Sequence, residues 1–210
     1  MHPEDEIELL LTYLQHARDA LLWKLDGLGE YDIRRPLTPT GTNLLGLLKH
    51  TASVEYGYLT ECFGRNAGID TPWLDEDAPE NADLWAEAHE TRESIVELAR
   101  AAWAADDASA RALGPDAIGA VPWWGERGKA VTMRRLLVHA IAETHRHAGH
   151  ADILRETIDG AAGMRATAAN LPDHDAEWWA RYVETLEDAA REAARSEDAL
   201  QDGAGGASRA

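Results

Sequence analysis

His139-Ala-Ile-Ala-Glu143-Thr-His145-Arg-His147-Ala-Gly-His150-Ala-Asp152-Ile-Leu-Arg155-Glu156 holds four of the chain's nine histidines, three carboxylates and two arginines, with no proline to interrupt it. On a helix, residues four apart lie on one face, one turn above the other. His139, Glu143 and His147 have that spacing, and His150 follows three later on nearly the same face. A helix facing a core should show apolar side chains there. This one shows imidazole, carboxylate, imidazole, imidazole. Burying such groups is costly unless they pair or bind a metal. Met133, Leu136, Leu137, Ala140, Ile141, Ile153 and Leu154 supply the apolar positions that pack the segment. With Thr132 as cap and Gly160 as stop, the stretch predicts a helix over about residues 132–160.

Three more segments show the same three-to-four period. Ile7, Leu10, Leu11, Leu14, Ala17, Leu21 and Leu25 predict a helix from about residue 4 to 27, closed by Gly27 and Gly29. Leu44, Leu47, Leu48, Thr51, Val54, Tyr58, Leu59 and Cys62 predict a second, capped by Thr42 or Asn43 and ended by Gly64. Leu84, Ala88, Thr91, Ile95, Leu98, Ala102 and Trp103 predict a third, starting at Asn81 or Asp83 and fading near Asp106-Asp107. The connections, about 15 to 25 residues long, exceed what a minimal up-down bundle needs, so crossover loops are expected. No alternating stretch is long enough for a sheet. The fold class expected is all-α: a four-helix bundle with long crossover loops plus a C-terminal helix. Residues 1–165 would form the bundle and 166–200 a helical extension packed through Trp178, Trp179, Tyr182, Val183 and Leu186. Residues 201–210, rich in Gly and Ala, would form a disordered tail.

Composition narrows the function. The formal charge is −18, from 38 acidic against 20 basic residues. Nucleic-acid binding by counterion release needs a basic footprint, and anionic membranes repel this sign. No apolar run approaches a membrane span. A single cysteine, Cys62, precludes an internal disulfide, and the acidic N-terminus lacks a signal core, so a cytoplasmic protein is expected. An outer bundle face offers a surface for homodimerisation.

The chemistry lies in the histidine-rich helix. His139, Glu143 and His147 together span about 12 Å along the axis, too far for one ion to meet all three. A Glu-x-x-x-His pair can place an oxygen and a nitrogen on one ion, but a catalytic site of three protein ligands then needs a partner from another helix. His50, mid-helix in Leu47-Leu48-Lys49-His50-Thr51, is the best placed. Spacing by itself leaves the choice of three open, and a lone histidine on a half-apolar face is ordinarily a satisfied core or boundary residue. His145 falls away from this face and reads as solvated. His2, His89 and His174 read as surface residues, and Asp152 with Arg155 as an intra-helix ion pair.

Leu44-Leu-Gly-Leu-Leu-Lys-His50 and the run from Leu136 to Gly160 resemble the DinB-like superfamily of metal-binding four-helix bundles, over about residues 5–160. Members bind a divalent metal through one histidine of helix two and an i,i+4 pair of helix four. Glu143 in place of a histidine is similar to the two-histidine, one-glutamate variant in the metal-binding domain of mycothiol-dependent maleylpyruvate isomerase and related mycothiol-dependent S-transferases. The resemblance implies His50, Glu143 and His147 as ligands. It also implies a thiol S-transferase that activates a low-molecular-weight thiol such as mycothiol for attack on an electrophilic substrate. Zinc is the first expectation, with nickel, iron and manganese also suited to imidazole and carboxylate. Two other readings use the same ligands: a hydrolase with metal-activated hydroxide, and a non-catalytic metal-binding stress-response protein. Around the metal, His150 is a candidate acid/base or outer partner of His147, and His139 a candidate to orient Glu143. Trp123 and Trp124, on a Pro/Gly-rich loop, could roof a substrate pocket, with Tyr56 and Trp23 as weaker candidates. Cys62 lies about 18 Å along the axis from His50 and reads as a small buried hydrophobe.

Overall fold

The apolar stripes form helices, with bounds that differ from expectation where polar side chains intervene. The structure, a computed structural model, describes residues 6–169 and 171–206. α1 (Glu6–Trp23), the short α2 (Glu30–Arg34), α3 (Leu44–Leu59), α4 (Arg92–Leu113) and α5 (Met133–Asp159) make the first unit, which ends at Ala169. β1 (Ile118–Gly119) and β2 (Val131–Thr132) pair antiparallel in the α4–α5 connection. The fold is all-α. α3 packs mainly on α4 and α5, and α1 mainly on α5. The α1–α3 and α4–α5 connections therefore cross the bundle rather than join close neighbours, in keeping with their length.

Local chemistry sets the ends. Asn43 caps α3 by accepting from Gly46 N, and Thr132 caps α5 by accepting from Arg135 N. Gly160, at φ 79°, supplies the left-handed residue that closes α5. α4 departs from expectation. It begins at Arg92, behind Thr91, which accepts from Ser94 N, while Ala82–Leu84 form a 3-10 turn in the preceding loop. It also continues through Asp106-Asp107 to Leu113, because Asp106 is buried and accepts from Thr60 Oγ1 at 2.7 Å. Asp152 pairs with Lys24 in the turn after α1, and Arg155 pairs with Asp159, so the Asp152–Arg155 pair expected from sequence does not form.

The second unit contains α6 (Ala176–Gly206), which extends into residues 201–206 of the expected tail; 207–210 lie outside the described residues. Trp178 stacks on His174 and Tyr182. Tyr182, Val183 and Leu186, expected to pack this helix, are exposed.

Two apolar clusters fill the bundle, one around Leu45, Leu48, Ala52 and Ala99, the other around Leu14, Leu59, Met133 and Leu136. A polar knot joins all four long helices. Arg18 of α1, fully buried, donates from Nε to Glu55 Oε2 of α3 at 2.8 Å and from Nη1 to Asp107 Oδ1 of α4 at 2.8 Å. Thr144 of α5 donates to Glu55 Oε1 at 2.7 Å. Asp106 Oδ2, 4.0 Å from Arg18 Nη2, has no hydrogen-bond partner among the described residues. Burial raises the pKa of Glu55 despite the ion pair, and burial followed by the charge of Glu55 pushes Asp106 well above the usual carboxylate range.

Removing one member of a buried ion pair leaves the other uncompensated. Arg18→Met should therefore cost about 3–5 kcal/mol in urea unfolding, part of it recovered in Arg18→Met/Glu55→Leu. Wild-type stability in the single variant would dismiss the knot as a determinant. A carboxyl whose folded pKa is raised opposes folding once the unfolded chain ionises, from about pH 4 upward. Asp106→Asn should accordingly gain stability relative to wild type between about pH 4 and 7. A pH-independent difference would show that Asp106 carries no such shift.

Candidate metal centre

His50 on α3 faces Glu143 and His147 on α5. One donor atom from each of the three lies within 4.8 Å of the other two. The two imidazoles meet edge to face, ring centroids 4.9 Å apart. His147 Nε2 lies 2.9 Å from Glu143 Oε1, while its Nδ1 lies 3.4 Å from His150 Nδ1. His50 Nδ1 lies 2.5 Å from Asp83 Oδ2. Each imidazole thus has an outer partner on its Nδ1, as metal-binding histidines do.

Electrostatics favour the ligand-ready protonation states. Burial, then the neighbouring His50, lowers the pKa of His147. Burial alone would raise Glu143, but the hydrogen bond and charge of His147, with Arg146, bring it below the usual value. The hydrogen bond from His50, followed by other nearby groups including Lys49, holds Asp83 low. Donors around a tetrahedral zinc at about 2.0–2.2 Å sit roughly 3.3 Å apart, so the triad needs only small side-chain adjustments to close on an ion. The donor set of two imidazoles, one carboxylate and an open position fits a catalytic divalent metal.

Two cavities flank the triad. One of about 450 Å³ is lined by Thr40, Thr42, Asn43, Asn81, His147 and His150 among others. One of about 990 Å³ is lined by His50, Glu143, His139, Tyr58, Trp123 and Glu61 among others. Of the aromatic candidates, Trp123 lines the larger cavity, 60 % exposed. Trp124 does not line either; it donates to Tyr58 Oη at 3.1 Å and packs edge-on against His139. Tyr56 is fully buried, its hydroxyl accepting from Ala67 N. Trp23 donates to Met164 O and lies beneath the Lys24 ammonium. Neither Tyr56 nor Trp23 lines these cavities. His145 turns away and meets the Ile141 carbonyl. Cys62 sits half-buried, its pKa pushed up to about 11 by burial and then Glu61, which makes it a poor nucleophile.

Asp83 and Tyr58 were not singled out from the sequence as site residues. Asp83 sits in the Ala82–Leu84 3-10 turn and was legible only as a possible helix start. Tyr58, which accepts from Trp123 and Trp124 indoles at 3.0 and 3.1 Å, was legible only as a core position. Among the described residues no helix is long and apolar enough to cross a membrane. No curated protein matches the chain. The sequence pattern of the family described as Mycothiol-S-transferase matches residues 9–160, most of the chain and all four long helices of the bundle, and the chain belongs to that family.

Proposed function

We propose that the protein is a divalent-metal-dependent S-transferase that joins a low-molecular-weight thiol of the mycothiol type to an electrophilic substrate, with His50, Glu143 and His147 as ligands. The observation that carries this reading is the position of the triad between two separate cavities. A reaction between two small molecules needs two subsites meeting at one reactive centre. Thr40, Thr42, Asn43 and Asn81 give the smaller cavity hydroxyl and amide groups that suit the polar body of a hydroxyl-rich thiol. The larger cavity, walled by Tyr58 and Trp123, suits the electrophile.

A bound divalent ion, zinc first among the candidates, supplies the Lewis acidity that keeps a thiol deprotonated near neutral pH. Glu143 contributes the negative charge of the ligand set, and His150 steadies His147 through Nδ1. The sulfur lone pair forms the new S–C bond, and the displaced electron pair leaves with the leaving group. His139, on the wall of the larger cavity one turn from Glu143, is the imidazole placed to give that group a proton.

Metal analysis of purified protein should show about one ion per chain, lost in His50→Ala and His147→Ala. With monobromobimane as electrophile, turnover should require added mycothiol and vanish in both variants. Full occupancy in both would overturn the ligand assignment. Turnover without thiol, releasing hydrolysed product, would replace the transferase reading with a metal-activated hydrolase.

A further inference from the structure

The loop between α3 and α4 would have little reason to hold one shape if left to itself. It contains three 3-10 turns, Glu61–Phe63, Pro72–Leu74 and Ala82–Leu84, joined by irregular backbone. The first turns of α3 fix it. Lys49, buried, donates from Nζ to the carbonyls of Ala82 and Trp85 at 3.1 Å each and to Glu90 Oε2 at 2.9 Å. Its ammonium also sits 4.0 Å from the centre of the Trp73 ring. Asn43 Nδ2 donates to the Leu84 carbonyl at 3.1 Å. Gly46 lets that carbonyl approach, since a Cβ there would fall 1.9 Å from Leu84 O. Backbone on both sides of Asp83 is thereby anchored to α3.

What the anchored turn delivers is one carboxylate. Asp83 Oδ2 meets His50 Nδ1 at 2.5 Å, with each side chain 17 % exposed. A carboxylate accepts only, so it selects the tautomer with the proton on Nδ1 and frees Nε2 as a lone-pair donor. A carboxylate behind an imidazole also raises its strength as a ligand. Behind His147 lies an imidazole instead, His150, with the two Nδ1 atoms 3.4 Å apart. The same loop supplies Thr71, Leu74, Asp75 and Glu76 to the larger cavity and Asn81, Leu84 and Trp85 to the smaller.

We propose that Asp83 is the positioning residue for His50: it holds the imidazole in the Nδ1–H form, aims Nε2 at Glu143 and His147, and ties the loop that walls both cavities to the metal ligand. The inference rests on the metal site proposed above but not on thiol transfer.

The test measures zinc affinity of the metal-stripped full chain by competition with a chromophoric chelator, for wild type, Asp83→Ala and Asp83→Asn. Asp83→Ala should bind zinc about 10–100-fold more weakly. Asp83→Asn, which keeps an acceptor oxygen but no charge, should lose less, and its matched size guards against a folding defect in the alanine variant. Long-range proton–nitrogen spectra of the metal-free protein should show His50 protonated on Nδ1 in wild type and shifted toward the Nε2–H form in Asp83→Ala. A merely structural role would not move that signature. Wild-type zinc affinity in Asp83→Ala overturns the proposal. A wild-type protein that binds no zinc overturns it together with the metal site. Weakened zinc binding in a protein without thiol-transfer activity supports Asp83 and overturns only the transferase reading.

Discussion

Arg18 and Glu55 form the constraint on which the rest of the bundle depends. The guanidinium is fully buried and reaches α3 and α4 at once, while Glu55 spends its other oxygen on Thr144 of α5. Apolar packing tolerates small rotations of one helix against another. A buried carboxylate with fixed donors does not, because any rotation leaves a charge unsatisfied in a low-dielectric interior. The knot therefore sets the rotation of all four long helices more sharply than the leucine clusters around it.

That rotation is what makes the candidate metal centre. Thr144 neighbours Glu143 in sequence, and Glu55 lies five residues beyond His50. Fixing Thr144 on Glu55 leaves little freedom for the next turn of α5, whose Glu143 and His147 then face His50. The long helix α5 thus carries two polar tasks on adjacent faces: one closes the core, the other opens to two cavities. The burial penalty that raises Glu55 and Asp106 shows what the closed arrangement costs. It persists because Arg18 lies within the same cluster.

Much of this was legible in the sequence, and the exceptions have physical causes. The helical period located the four long helices of the bundle, and the His-x-x-x-Glu-x-x-x-His spacing pointed to the candidate site on α5. The need for a donor from another helix singled out His50, the resemblance implied it as a ligand, and the structure brings it to Glu143 and His147. Arg18 also left a trace, sitting among Leu14, Ala17 and Leu21 on the apolar face of α1. The misplaced start of α4 came from Leu84 and Ala88, which fit a helical period but belong to a loop held by Lys49 and Asn43. Those anchors are long-range hydrogen bonds to backbone carbonyls, and carbonyls carry no residue identity. Asp83 was hidden by the long-range nature of its side-chain contact with His50. Nothing in its neighbours says which side chain 33 residues away it will meet.

The two polar clusters differ in one respect that bears on function. The knot of Arg18, Glu55, Asp106 and Asp107 contains its own buried cation. The cluster of His50, Asp83, Glu143 and His147 has two carboxylates held below their usual pKa and a His147 whose pKa is lowered, first by burial. Its nearest cations do not complete it. Arg146 is exposed and 3.9 Å from Glu143, and Lys49 directs its hydrogen bonds to two carbonyls and Glu90. Converging imidazole and carboxylate donors that no lysine or arginine completes are suited to a positive ion from outside the chain. The same arrangement makes the carboxylate of Asp83 useful, since behind His50 it adds negative charge without occupying a coordination position.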